Sequence, residues 1–163
     1  MQPSQSVIIL LLVANLVATV WFGLNERTAP VQTQAEKTAE HELPLFIDSK
    51  VRVHIYNEFV KAFNAGDNDA LYDMFGPAAK AQFTKESAET EFQRLTKIFN
   101  SVESGAFTHS QLAGTEGNTS FYVLHYAVKF PDESEFGTSG TLKVTIAIQG
   151  SEYQIYGIMI NAG

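Results

Sequence analysis

The sequence predicts an α+β fold, with N-terminal helices packed on one face of a curved antiparallel β-sheet and one transmembrane helix preceding them. Three observations support this prediction. An uncharged apolar run lies near the N-terminus, apolar residues then recur at helical spacing, and the C-terminal half alternates between apolar and polar residues. A chain of 163 residues has room for one such domain and accessory segments.

The apolar run covers residues 7–24 and reads VIILLLVANLVATVWFGL. As a helix it measures roughly 27 Å, enough to cross a hydrocarbon core. We interpret residues 1–24 as a transmembrane signal anchor, because the run is long for a signal peptide and lacks a clear cleavage site. A cleaved signal peptide and a buried core helix are the alternatives. The flanking charges barely indicate an orientation, but N-terminal signal-like segments most often export the domain that follows.

Residues 25–44 are rich in Thr, Gln, Ala and Glu and show no apolar periodicity. They predict a flexible linker, which leaves residues 45–163 as the folded domain. Glu36, Glu40, His41 and Glu42 carry metal-binding side chains, but nothing in the pattern holds them in place. We therefore predict no metal site here.

Capping residues and glycines delimit the predicted helices. Asp48 is suited to cap a helix that begins at Ser49, and Gly66 is suited to end it. A shorter helix follows Asp67 and ends at Gly76-Pro77, and residues 78–83 form a short helical piece. Thr84 is suited to cap a last helix that runs to about Val102. Its apolar side chains, like those of the first helix, fall on one face.

The acidic residues near the second helix do not form a calcium-binding loop. Leu71 and Tyr72 stand where such a loop needs an oxygen ligand and a glycine. Acidic residues in the first turn of a helix instead complement its dipole.

The C-terminal half predicts four strands, at residues 107–112, 120–130, 141–149 and 153–161. Turns are expected at residues 115–119 and 150–151, with a longer loop at residues 131–140. In the second strand the more apolar face should lie toward the helices, and it comprises Tyr122, Leu124, Tyr126, Val128 and Phe130. The outer face then carries Phe121, Val123, His125, Ala127 and Lys129.

This order of elements resembles the nuclear transport factor 2-like superfamily, whose cone-shaped domains are similar to cystatin folds. The resemblance rests on FVKAFNAGDNDALYDMF at residues 59–75, on the helix that ends near Ser104-Gly105 before a strand, and on YQIYGIMIN at residues 153–161. These segments are similar to those of small bacterial exported members of unknown function. The resemblance covers about residues 47–161, and it implies a helix-lined conical pocket and frequent dimers through the outer sheet face.

The implied pocket suggests a set of ligand-binding residues. Phenols should line it, together with a histidine of the first helix, and the set we predict is Tyr72, Tyr122, Tyr126, Tyr156 and His54. Tyr153 is the alternative to Tyr156 at the last position. We predict no catalytic residue, because this set contains no evident carboxylate for acid–base work. Core packing of the phenols is the plainer alternative.

Composition narrows the choice of partners and cofactors. The net charge of −7 and the scattered basic residues argue against nucleic acid as a partner. The absence of cysteine excludes disulfides and thiolate metal sites. His109 and His125 should come close if their strands pair, but two histidines are a weak zinc signal. No cofactor is expected, since phosphate-loop and dinucleotide motifs are missing.

Three functions remain open at this point. The preferred one is a non-enzymatic domain, tethered to the bacterial inner membrane by a single span and held in the periplasm, that binds a protein partner or a small apolar ligand. An apolar outer sheet face would favour a homodimer or a docked protein. The second is an isomerase-like or dehydratase-like enzyme that uses the cone pocket. The third is a structural subunit of an envelope or secretion assembly.

Overall fold

The computed structural model describes residues 42–135 and 137–163 and has the predicted α+β architecture. Helices come first, and a four-stranded antiparallel sheet with strand order β1-β2-β3-β4 follows. The predicted anchor at residues 1–24 and nearly all of the predicted linker lie outside the described residues. Within the described ranges, no helix has the length and apolar character needed to span a bilayer.

The helices are α1 (Ser49–Ala65), α2 (Asn68–Asp73), α3 (Pro77–Lys80) and α4 (Lys85–Phe99). The predicted caps are confirmed. The Asp48 carboxylate accepts hydrogen bonds from the backbone N–H groups of Lys50 and Val51 at 2.8 and 2.9 Å. Gly66 ends α1 with a φ of 65°, a left-handed conformation that glycine adopts without strain. The Thr84 side chain caps α4 by accepting a bond from the backbone N–H of Ser87.

The last helix ends earlier than predicted. α4 stops at Phe99, because Asn100 takes a φ of 62° and turns the chain out of the helix. Val102, predicted to be the last buried residue of the helix, is still buried at 1% exposure, but from the following connection. The apolar periodicity of α4 therefore included Val102, although this residue packs inward from the connection and not from the helix.

The strands are β1 (Ser104–Glu116), β2 (Thr119–Lys129), β3 (Ser139–Gln149) and β4 (Glu152–Ala162). Two-residue loops join β1 to β2 and β3 to β4. Each loop begins with a glycine of positive φ, Gly117 at 57° and Gly150 at 62°, as type II′ hairpin turns require. The predicted turn at residues 115–119 was too long and the predicted first strand too short, because such a turn lets both strands continue to its edges.

Irregular pairing bends both edge strands. β1 shifts register between Phe107 and His109 and again between Leu112 and Gly114, and β4 shifts opposite Thr145 and Ile146. A bulge of this kind adds one residue to a strand and so reverses which residues face inward. In β4 it allows Ile155, Ile158 and Ile160 to pack on the same core despite their uneven spacing.

Aromatic rings occupy the space between the helices and the sheet. The predicted inner face of β2 is confirmed, since Tyr122, Leu124, Tyr126, Val128 and Phe130 are all buried. Rings from the helices fill the volume above this face, with the centroids of Phe99 and Phe130 4.7 Å apart and those of Phe59 and Phe63 5.3 Å apart. A conical pocket at this position would be closed if four phenylalanines were buried in it. All four are buried, namely Phe59, Phe63, Phe92 and Phe99.

A side-chain clamp joins the end of α1 to the connection before β1. The Asn64 amide nitrogen donates to the Val102 carbonyl at 2.9 Å, and its amide oxygen accepts from the Val102 N–H at 2.8 Å. This pair of bonds satisfies both backbone groups of a buried residue outside any strand or helix. It also fixes the distance between α1 and the start of the sheet.

We expect Asn64→Ala to lower the free energy of unfolding by about 2 kcal/mol, because two backbone groups of Val102 lose their partners. Urea denaturation of the purified chain measures this change. Asn57→Ala is the matched control, since Asn57 is exposed on the same helix and makes no side-chain bond among the described residues. Equal stability of the two variants would show that the clamp contributes nothing.

Candidate functional site

An open groove of about 630 Å³ lies where α1, α2 and β4 meet. The chain after α2 is attached to β4 there, because the Gly76 N–H donates to the Ile155 carbonyl at 2.8 Å. A side chain at position 76 would collide with Gln154, so glycine permits this close approach. The groove is lined by His54, Ile55, Glu58, Ala70, Asp73, Met74, Gly76, Tyr153, Gln154 and Ile155.

The groove combines an apolar floor with a polar rim. Ile55 and Ile155 are buried at its base, whereas His54, Glu58 and Asp73 are exposed around it. The ammonium of Lys80 lies 3.3 Å from the Asp73 carboxylate and partly neutralises it. An amphipathic molecule would suit this lining, with its apolar part on the floor. The exposed rim leaves the ionisable groups in water, where acid–base catalysis gains little from the protein.

The five predicted ligand-binding residues do not converge in the structure. His54 lines the groove. Tyr122 and Tyr126 are buried in the core, and the Tyr126 hydroxyl donates to the Arg52 carbonyl at 3.0 Å. Burial raises the pKa of that phenol well above its ordinary range. It is therefore a neutral structural group whose donor is already used.

The other two predicted residues lie elsewhere. Tyr72 is half-buried against Phe83, with the Lys80 ammonium 4.8 Å from its ring centroid. Tyr156 contacts Phe121, which belongs to the outer side of the sheet, with ring centroids 5.1 Å apart. The alternative residue, Tyr153, lines the groove, and burial raises the pKa of its hydroxyl. Ligand binding by the predicted set stays a prediction. Alternation with Ile155 was the signal that favoured Tyr153 over Tyr156.

Within the described residues, no cluster of three or more His, Asp or Glu side chains is placed to hold a metal ion. The closest approach of two histidines is on the sheet. His109 and His125 pair across β1 and β2, as expected, with ring centroids 4.2 Å apart and planes inclined by 14°. Because the rings are nearly parallel, their lone pairs run side by side and do not converge on one ion.

The outer face is the side of the sheet turned away from the helices, and its side chains form rows across the four strands. The basic row consists of His109, His125, Lys143 and Met159, which are in register. The acidic row at the hairpin end consists of Glu116, Thr119, Gln149 and Glu152. Between them lie Phe121, Val123, Thr145, Ala147 and Gly157. The face is therefore uncharged at its centre, where Gln111, Thr145 and Gln154 stand among the apolar residues, and it carries acidic side chains at one end and Lys143 with two histidines at the other.

The hydrogen-bonding groups of the histidine pair are only partly satisfied. The Thr108 hydroxyl lies 3.1 Å from the His109 Nδ1 and donates to the His125 carbonyl, also at 3.1 Å. Within the described residues, the His125 Nε2 is buried without a hydrogen-bond partner. Burial, followed by the nearby His109 and Lys143, lowers the pKa of His125. The neutral imidazole is therefore the form that the fold accommodates.

Comparisons with known proteins give only distant similarity. No protein-family model matches the chain, and no curated protein matches it. Among solved structures, a protein assigned as an aromatic ring hydroxylase from Novosphingobium aromaticivorans is 15% identical with a TM-score of 0.42, over 74% of this chain and 92% of that one. TsrD from Streptomyces laurentii is 16% identical with a TM-score of 0.33, over 74% and 90%. These low values support no conclusion about family or activity.

We expect the stability of the domain to fall as the pH drops below about 6.5, the pKa of a histidine in an unfolded chain. A group whose pKa is lowered by folding binds more protons in the unfolded state, so acid favours unfolding. His125→Gln should flatten this dependence, whereas His54→Gln, at the exposed groove rim, should leave it intact. Urea denaturation between pH 5 and 8 measures the slope, and identical slopes for His125→Gln and the unchanged chain would contradict this assignment.

Proposed function

We propose that the chain is a membrane-tethered, non-enzymatic envelope domain that associates with protein through its outer face, with a second copy of itself as the first partner. The single observation that supports this most is the occupied interior. The isomerase-like alternative needs an open pocket with an ionisable residue at its base, and Phe59, Phe63, Phe92 and Phe99 fill that position in the described part of the chain. We therefore expect the function of the domain to depend on its surface residues.

The outer face is large enough for a stable contact. Strands of 11 residues, spaced as in any sheet, give four strands an area of about 19 Å by 36 Å, or roughly 700 Å². A standard protein interface buries about 800 Å² on each partner. The face also has an apolar centre, where Phe121 and Val123 are half-buried, and Met159 is 52% exposed at one edge. A sheet face of this size with apolar residues at its centre is a common site of association.

The proposal also includes the cellular location of the protein and its structural superfamily. The apolar run at residues 7–24 supports a single-pass anchor in a bacterial inner membrane, with the folded domain in the periplasm. The order of helices and strands supports membership of the nuclear transport factor 2-like superfamily. A subunit of an envelope or secretion assembly would use the same tether and the same face, and partners that co-purify from solubilised membranes would distinguish it from a simple homodimer.

We expect Phe121→Glu to weaken self-association of the full chain in detergent by at least about 30-fold, because it places a charge at the apolar centre of the interface. Sedimentation velocity over a concentration series measures the effect. Val53→Glu is the matched control, since Val53 is 54% exposed on α1 and lies on the helical side of the domain. A chain that is monomeric throughout, or a dimer that Phe121→Glu leaves intact, would refute the proposed interface.

The groove supports a second candidate, the binding of a small amphipathic ligand. Its size lies within the range of small-molecule sites, and its floor is apolar. We expect the fluorescent probe 1-anilinonaphthalene-8-sulfonate to bind it and Met74→Asp to reduce the affinity about tenfold, because the substitution puts a charge beside the apolar floor. Met159→Asp on the outer face is the control. Equal probe affinity in both variants would exclude the groove as the binding site.

A further inference from the structure

A turn immediately before α1 presents two apolar side chains, Leu45 and Phe46, which we call the apolar tip. The Ile47 N–H donates to the Pro44 carbonyl at 2.8 Å and closes a four-residue turn with the tip at its centre. Ile47 is buried and Leu43 packs against the core, so both sides of the turn are fixed to the domain. Leu45 is nevertheless 92% exposed and Phe46 36%. Glycine and polar residues are usual at the centre of a turn, so an apolar pair there needs an explanation.

The exposed side of α1 carries a second part of the same end of the domain. Lys50, Val53, Asn57 and Lys61 follow one another at intervals of three and four residues, so they share one face of the helix, and all four are exposed. We call them the lysine stripe. Within the described residues, neither lysine ammonium forms an ion pair. An exposed apolar side chain between unpaired lysines is typical of a helix that lies against a membrane surface.

The acidic residues of α1 and its cap lie off the lysine stripe. The Asp48 carboxylate accepts bonds from backbone N–H groups at the start of α1, where the helix dipole offsets its charge. Glu58 lines the groove, on a neighbouring face of the helix. The other helices differ, because α2 exposes Asp69 and Asp73 and α4 exposes Glu86. With a net charge of −7, most of the domain is repelled by an anionic surface, whereas the lysine stripe attracts one.

The length of chain before the apolar tip keeps a membrane within its reach. Residues 25–44, twenty in number, separate the apolar run from the tip. A flexible chain of that length averages about 25 Å between its ends, and no chain of that length exceeds about 70 Å. A surface tethered so closely meets the bilayer at a high effective concentration, so a few weak contacts are sufficient to hold it there.

We propose that the apolar tip and the lysine stripe dock the folded domain on an anionic phospholipid bilayer. Leu45, Phe46 and Val53 enter the headgroup region, and Lys50 and Lys61 contact lipid phosphates. This inference rests on the membrane tether of the proposed function, and it adds the orientation of the domain on that membrane. Because α1 and the outer face lie on opposite sides of the sheet, docking through α1 leaves the outer face open for association.

Nitroxide labels on the full chain in vesicles of phosphatidylglycerol and phosphatidylethanolamine measure this orientation. The chain has no cysteine, so a cysteine introduced at one position is the only one labelled. The readout is the ratio of label collisions with oxygen, which concentrates in acyl chains, to collisions with a water-soluble nickel chelate. We expect this ratio to be at least about threefold higher for Leu45→Cys and Val53→Cys than for Asn118→Cys, because docked residues lie at the acyl boundary. Asn118 is exposed in the loop between β1 and β2.

Two changes test which contacts hold the docked state, with the label at position 53 as the reporter. Phosphatidylcholine in place of phosphatidylglycerol should lower the ratio of docked to free domain at least about fivefold, the contribution of one lysine near an anionic surface. Leu45→Asp should return the label to water, because it puts a charge on the apolar tip. Met159→Asp is the matched control, since Met159 is 52% exposed on the outer face, and it should leave the label in place.

The outcomes separate this inference from the proposal on which it rests. A chain that alkaline carbonate extracts from the vesicles has no membrane anchor, and that result would defeat the tether and the docking together. A chain that resists extraction, but whose labels at positions 45 and 53 meet water as freely as the label at position 118, would overturn the docking alone. Labels shielded from both reagents, or broadened by spin–spin coupling, would also overturn it, because a protein then covers the surface. If Leu45→Asp unfolds the domain, Lys50→Glu combined with Lys61→Glu provides the same comparison.

Discussion

The packing of aromatic rings between the helices and the sheet is the interaction on which the rest of this structure depends. Five rings have 7% exposure or less: Phe59 and Phe63 of α1, Phe92 and Phe99 of α4, and Phe130 immediately after β2. Burying one such ring stabilises a fold by about 2–3 kcal/mol, more than any exposed ion pair of this chain contributes. The same rings occupy the volume that a cone-shaped fold can leave open, so stability and an internal pocket compete for one space.

In β2 and β3, alternation of residue types places apolar side chains on the inner side of the sheet and the charged and polar side chains on the outer side. Because successive side chains point to opposite faces, the demand for apolar residues on the inner side leaves the outer side free to vary. Val123 and Ala147 keep its centre apolar, while His125 and Lys143 make one end basic. The stacked histidines, the apolar centre and the acidic row are therefore consequences of one register. A slip by one residue would bury the charges and expose the core.

The sequence predicted the elements whose signals are local. Asp48, Thr84 and Gly66 marked helix ends through bonds and φ values within a few residues, and alternation identified the inner face of β2. Prediction from the sequence failed where tertiary contacts determine the local structure. Asn100 ended α4 although the apolar periodicity continued to Val102, and the bulges of β1 and β4 have no simple sequence pattern. The residues of the predicted site do not lie together for the same reason. Tertiary contacts determine which tyrosines are buried in the core and which line a surface groove, and the sequence alone does not show those contacts.

The groove and the outer face also differ in what their residues are free to do. In the groove, Gln154 and Gly76 hold the chain after α2 against β4, so the binding surface there is tied to a structural contact. On the outer face, the side chains of Glu116 and Lys143 make no hydrogen bond or ion pair within the described residues. Glu116 and Glu152 lie about 20 Å from Lys143 along the strands, and this separation of charge supports the proposal of an interacting surface on the sheet. Together with the occupied interior, it supports our proposal that the protein associates through the sheet and not through the groove.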